Sequence, residues 1–274
     1  MNQIFVANKP AGISSNHFLS SLKRKYNQKK AGFTGTLDPF ASGVLVVGFG
    51  AHTKLFRFLD KTPKRYRATL WLGAYSKSLD IERVESIWQT HELNQQSIKD
   101  SIDNLQGTLT YSPPSFSAKR VNGKRAYELA RDDIDVKLKQ ITSNIYQTKL
   151  IAYSHPFITF EVTVSEGTYI RSLGEILANR LGVKHASLSS LTRLSEGKFI
   201  YNQEEPIDIK QSLNIPKNNY NADINNILLG KVLSISNFDK KTDGYYWLDN
   251  NDTITIIKIT DSDVTYELNK VPLC

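Results

Sequence analysis

Apolar side chains that alternate with polar ones, or recur every third or fourth position, divide most of the chain into short strands and a few helices. Ile4–Ala7 reads as a strand ended by the loop Lys9-Pro10-Ala11-Gly12. Ser14 or Ser15 is placed to cap a helix reaching about Tyr26, with Phe18, Leu19, Leu22 and Tyr26 on one face. A Gly- and Thr-rich loop, Gly32–Pro39, leads to a predicted strand at Val44–Val47, a short helix at His52–Leu59 and a strand at Tyr66–Leu72. Ile98, Ile102 and Leu105 give Ser97–Leu105 helical spacing. After the break at Ser112-Pro113-Pro114 the pattern predicts a strand from Phe116 to Val121, a turn at Asn122-Gly123 and a helix from Arg125 to Arg131. Strands over Ile141–Ile151 and Phe157–Val164, a helix from Ile170 to Leu181 stopping at Gly182, and a strand over Leu191–Ile200 follow.

Near Pro206 the composition shifts, and Asn becomes frequent. Lys231–Ile235, Tyr245–Leu248, Thr253–Ile259 and Val264–Leu268 then suggest a small β module. Helices mixed with hairpin-forming strands, without regular βαβ alternation, predict an α+β fold. The expected division is 1–208 and 209–274.

Charge changes this picture more than composition does. Residues 1–70 carry twelve Lys and Arg against Asp38 and Asp60 alone, a net +10, whereas residues 201–274 carry −4. A concentrated basic region suits a polyanion binder, although a merely solvated basic surface has the same signature. The single cysteine, Cys274, excludes an intramolecular disulfide and a multi-cysteine zinc site. Met1–Ala7 lacks the pattern of an export signal, and Val44–Ala51 is glycine-broken and far short of the roughly 20 residues of a membrane span. A cytoplasmic protein is expected.

Three segments could carry chemistry. In GFTGTLDPFASGVL (Gly32–Leu45), Gly35 and Gly43 free the backbone on both sides of Asp38, and Pro39 biases Asp38 toward an extended conformation. An aspartate so placed suits a nucleophile, a general base or a metal ligand, the last least because Asp60 is the only other acid nearby; it also suits a plain turn. In GTYIR (Gly167–Arg171), Arg171 could hold Asp38 ionised through a bidentate pair, or be an ordinary surface arginine at a helix start. In KRYRATLWLG (Lys64–Gly73), Tyr66 could stack on a base between cations that meet phosphates, or pack in the core. His17, His52, His91, His155 and His185 show no ligand spacing and read as structural.

These segments, with NKPAGISSN (Asn8–Asn16), SPPSFSAKRVNGKRAYELAR (Ser112–Arg131), SEGTYIRSLGEILANRLG (Ser165–Gly182) and LTRLSEGKF (Leu191–Phe199), resemble in order the motifs of the bacterial tRNA pseudouridine synthase B (TruB) family. The likeness spans roughly residues 2 to 205. It implies a pseudouridine synthase fold, with a mixed, mainly antiparallel sheet flanked by helices. It also implies isomerisation of the T-loop uridine of tRNA, position 55 in standard tRNA numbering, after base flipping. By the same likeness Asp38 is the nucleophile, Arg171 its partner and Tyr66 the residue stacked on the target base. Tyr169 and Leu191 line the pocket, Lys9 and Pro10 buttress its floor, and Asp80 lies near the substrate ribose. Phe33 stands where the family usually has His, as the wedge filling the space a flipped base leaves; Lys77 stands where a second acid is expected near Asp80.

Both bonds are made and broken within one substrate, so no cofactor or metal is implied. The tRNA T-arm is the implied partner, with no protein partner and a monomeric enzyme. The C-terminal part is short for the family's RNA-binding PUA module and would be a reduced form of it. Two rivals stand beside this reading. A non-catalytic tRNA-binding protein would not need Asp38 with Arg171, and an isomerase acting on rRNA or mRNA would keep the chemistry.

Overall fold

The computed structural model describes residues 1–117, 119–121, 123–132, 134 and 138–273. Asn122 of the expected turn, Ala118 of the expected Phe116–Val121 strand, and Cys274 lie outside them. A mixed sheet organises the molecule. Its strands are β1 (Gln3–Lys9), β2 (Ala31–Phe33), β3 (Ser42–Phe49), β4 (Lys64–Leu72), β5 (Gly107–Tyr111), β6 (Ile141–Ser154), β7 (Phe157–Val164) and β8 (Ala186–Glu196). They run in the order β1-β3-β8-β4-β7-β6-β5, with β2 also paired to β3. Only β3 with β8 is parallel; the other pairings are antiparallel.

Four helices matter for the site: α1 (Ser15–Lys25), α2 (Gln95–Asp103), α3 (Ala126–Arg131) and α4 (Ile170–Arg180). The Ser14 hydroxyl caps α1 by accepting from the His17 amide, and Phe18 and Leu22 bury the predicted face against Phe5, Leu45, Val47 and Phe49. α2 and α4 cover β4, β6, β7 and β8 through Ile98, Ile102, Leu173 and Leu177, which pack with Leu70, Phe160, Val162 and Leu188. β3 is buried on both faces: Leu45 and Val47 face α1, while Val44 and Val46 join a second core. That is why its sequence is a continuous apolar run rather than an alternation.

The second core is shared with a C-terminal antiparallel sheet, β9 (Gly244–Asn250), β10 (Thr253–Thr260) and β11 (Asp263–Pro272). Trp247, Ile254, Ile256 and Val271 pack there with Ile4, Val6, Leu55 and Phe58. Its other face closes a smaller core around Ile227, Phe238, Tyr246 and Ile257. No helix among the described residues is long and apolar enough to cross a membrane.

Several expectations are corrected. Among the described residues of Phe116–Val121 only Arg120–Val121 is strand, paired in a small ribbon with Lys124–Arg125. The Phe116 carbonyl is instead taken by the Arg171 guanidinium at 2.8 Å. The strand expected at Leu191–Ile200 is β8, which begins at Ala186 and ends at Glu196. Lys231–Ile235 forms no strand: Leu233 is buried but Val232 is 98% exposed, and no neighbouring strand pairs with them. The Gly50–Phe58 segment is a 3-10 helix.

Candidate active site

Asp38 projects from the loop between β2 and β3, and that loop is pinned from several sides. The buried Ser15 hydroxyl, in the first turn of α1, donates to the Leu37 carbonyl at 2.9 Å and accepts from the Leu37 amide at 3.0 Å. The Gly12 amide donates to the Pro39 carbonyl at 2.8 Å. Lys9, fully buried at the end of β1, donates to the carbonyls of Pro10 (2.9 Å), Ile13 (2.6 Å) and Pro39 (3.3 Å). Gly43 has φ +105°, and a Cβ there would lie 2.2 Å from the Arg193 carbonyl; this close crossing with β8 requires glycine.

Arg171, near the start of α4, carries its partners on both guanidinium arms. Nη2 lies 2.9 Å from Asp38 Oδ2, and Nη1 lies 3.3 Å from Asp80 Oδ2 while donating to the Ser78 carbonyl at 2.8 Å. The expected bidentate pair with Asp38 is therefore corrected: one arm is spent on Asp80. Asp38 is not alone either, since Asp80 and Glu82 both face it closely enough to raise its pKa or be raised by it. Burial is the largest influence on Asp38 and pushes its carboxyl above the usual aspartate range, with Arg171 the strongest opposing pull. The side chain still exposes 37% of its surface through the cleft, so it is crowded by protein yet reachable. Burial likewise raises Glu82 and the Tyr169 phenol, and lowers the Lys9 ammonium to about 8.

Two cavities meet at Asp38. One, of about 280 Å³, is lined by Tyr66, Tyr169, Ile170, Leu191, Lys64 and Arg193, with Asp38 and Arg171. The other, of about 350 Å³, is lined by Asn16, Asp80, Glu82, Arg83, Tyr127 and Arg131, again with Asp38 and Arg171. The first is small, aromatic-walled and open, with room for a single base. Tyr66 and Leu191 reach it from adjacent strands β4 and β8, and Tyr169 from the N-cap of α4. Asp80 lines only the second cavity. Lys9 lies beneath the loop rather than in either cavity, and Phe33, partly buried at the end of β2 against the α1 core, lines neither.

The cations flanking Tyr66 do not frame it. Strand alternation puts Arg65 and Arg67 on the opposite face, where both bind Glu161 of β7; Arg67 Nε donates at 3.0 Å. Lys64 shares the face of Tyr66 and is buried, 3.3 Å from Glu196. Sequence reasoning missed the network this belongs to. Arg193 donates to the carbonyls of Val44 and Gly35, both at 2.7 Å, and lies 3.3 Å from Glu196, which accepts from the Thr34 hydroxyl at 2.6 Å. It clamps the residues just before Asp38.

Among solved structures, a chain of a Cbf5–Nop10–Gar1 complex superimposes with a TM-score of 0.68 at 20% identity, covering 98% of this chain and 83% of that one. A chain of an archaeal box H/ACA sRNP Nop10–Cbf5 complex gives 0.68 at 19%, covering 98% and 86%. At such identities the likeness shows the fold alone, an α+β architecture shared along nearly the whole chain. A family model for the N-terminal domain of TruB family pseudouridylate synthases matches residues 23–170. The tRNA pseudouridine synthase B of Sulfurimonas denitrificans is 56% identical over 271 residues, 99% of each chain. That of Campylobacter concisus is 53% identical over 274 residues, 100% of each. The chain belongs to the TruB family of pseudouridylate synthases, and is an isomerase.

Proposed function

We propose that this enzyme converts the T-loop uridine of tRNA, position 55 in standard tRNA numbering, to pseudouridine, with Asp38 as the nucleophile. The observation that carries the reading is the Asp38–Arg171 pair standing in the wall common to an aromatic cavity with room for a base and a second cavity lined mostly by polar side chains. The names of the relatives, all tRNA pseudouridine synthase B, supply the RNA class.

A stacked uridine must be extruded to reach this cleft, at a cost of a few kcal/mol. Phe33 takes the vacated place in the RNA stack, outside both cavities. Tyr66 stacks on the flipped base, with Leu191 and Tyr169 closing its pocket. Asp38 then assists cleavage of the N1–C1′ bond, by attack on base or ribose. The freed base rotates and C5 bonds C1′; the C5 proton departs and N1 gains one, so no oxidant, reductant or nucleotide is consumed. Arg171 holds Asp38 ionised against its burial, Asp80 holds the other arm of Arg171, and Lys9 fixes the Pro39 carbonyl next to Asp38. Residues 1–208 form the catalytic domain and 209–274 an appended β module, in a monomer acting in the cytoplasm.

Mapping pseudouridine in tRNA from cells with and without this protein tests the assignment. The reading predicts loss of the T-loop pseudouridine alone; an unchanged T-loop, with loss in rRNA or mRNA, would contradict it.

A further inference from the structure

Five residues line both cavities: Thr36, Leu37, Asp38, Ser117 and Arg171. Asp38 and Arg171 are paired, Leu37 is apolar and Thr36 is exposed to water. Ser117 differs from all of them. It is 3% exposed, and its Oγ has no hydrogen-bond partner among the described residues. Its polar neighbour is the Tyr169 phenol, close enough that the Ser117 hydroxyl favours the phenolate, although the two hydroxyls fall outside hydrogen-bonding geometry.

Nor is Ser117 loosely held. Its amide donates to the Ser115 carbonyl and its carbonyl accepts from the Tyr127 amide, each at 3.0 Å. The preceding Phe116 carbonyl is bound by Arg171 at 2.8 Å. The same guanidinium thus fixes Asp38 and the Ser117 loop together. A buried hydroxyl left unpaired is costly, and one fixed in the wall of both cavities that Asp38 lines has a partner to gain when substrate enters.

The position selects that partner, given the reading above in which Asp38 works at the glycosidic bond. The aromatic cavity takes the base, and the second cavity suits a sugar, with Asp80 and Glu82 as hydroxyl acceptors and Arg83 and Arg131 as the cations for its phosphates. A residue lining both lies where base meets sugar. Two substrate groups occur there, the O2 carbonyl of the base and the ribose 2′-hydroxyl. The base must detach and rotate, which would break a contact to O2, whereas the 2′-hydroxyl stays with the sugar throughout. It is also both donor and acceptor, matching a serine whose proton is uncommitted. We propose that Ser117 hydrogen-bonds the 2′-hydroxyl of the target nucleotide, holding the ribose while the base turns and selecting RNA over DNA at that position.

The test uses the full chain and two T-arm stem-loop RNAs tritiated at C5 of the target base, one with uridine there and one with 2′-deoxyuridine. Equilibrium affinity and tritium release are measured for wild type and Ser117→Ala. Wild type should prefer the uridine RNA, and Ser117→Ala should shrink that preference by about 5- to 30-fold, through a loss on the uridine RNA with little change on the deoxyuridine one. The melting temperature should hold or rise, because a buried unpaired hydroxyl is removed. Equal losses on both RNAs, or a large drop in melting temperature, would overturn the 2′-hydroxyl assignment alone. Wild-type inactivity on the uridine RNA would overturn the underlying reading, and this inference with it.

Discussion

Asp38 stands under opposing demands that set how activity depends on pH. Its carboxyl titrates above the ordinary aspartate range because burial outweighs the pull of Arg171, so the carboxylate, the proposed nucleophile, is lost on acidification sooner than for an exposed aspartate. Lys9 sets the other limb. Burial lowers its ammonium to about 8, and its three backbone acceptors use all three ammonium protons. As pH rises through about 8 one donor is lost and the grip on the Pro39 carbonyl loosens. Linkage runs the opposite way for stability. The folded state holds the Lys9 proton less tightly than the unfolded chain does, so stability from this group rises between about 8 and the ordinary lysine value while activity falls. Turnover should therefore decline above pH about 8, and Lys9→Met, which cannot titrate, should be slow with no such limb. A wild-type profile flat to pH 9, or a limb retained in Lys9→Met, would contradict the role given to Lys9.

Among the elements, α1, β4 and α4 are legible from periodicity because each buries a continuous face, and β3 from an unbroken apolar run because it is buried on both. So was the approach of Arg171 to Asp38, since a cation at a helix N-terminus calls for an anionic partner. The segment after Pro114 misleads because its strand-like composition is overridden by a side chain, Arg171, that captures the Phe116 carbonyl. The buried clamp under the Asp38 loop is hidden for a different reason. Arg193 and Glu196 lie three apart in a strand and should face opposite sides. A register shift against β4 between Arg193 and Ser195, a β-bulge, turns both inward. No spacing rule announces a bulge. Glu196, wholly buried, neutralises Arg193 and Lys64 at once, so Glu196→Gln leaves buried cations short of charge. Chemical denaturation should show a loss of about 3–5 kcal/mol, with turnover falling more than RNA affinity. A loss within 1 kcal/mol would mean that the loop is held by its backbone contacts alone.

For the whole molecule, the charge asymmetry of the sequence translates into placement. Arg24, Lys29 and Lys30 are exposed at and beyond the end of α1, with Lys23 beside them, whereas Lys25 is engaged by Glu204. The C-terminal module shares a core with β1 and β3 but is close to neutral, seven Lys against eight Asp and Glu over 209–274, so the proposed function puts the RNA against the basic α1 side. Replacing Lys23, Arg24, Lys29 and Lys30 by Gln should weaken tRNA binding. It should also shallow the slope of log affinity against log salt by about 0.7 to 0.9 for each phosphate contact removed. An unchanged slope would place the RNA on another face.

The most direct test of the account is Asp38→Asn, measured by tritium release from tRNA labelled at C5 of uridine, beside tRNA affinity and thermal melting. The amide keeps the shape but is a very poor nucleophile. Because the fold disfavours the ionised carboxylate, the variant should melt at the wild-type temperature or above it. The account predicts release at background with affinity retained; release near the wild-type rate would contradict it.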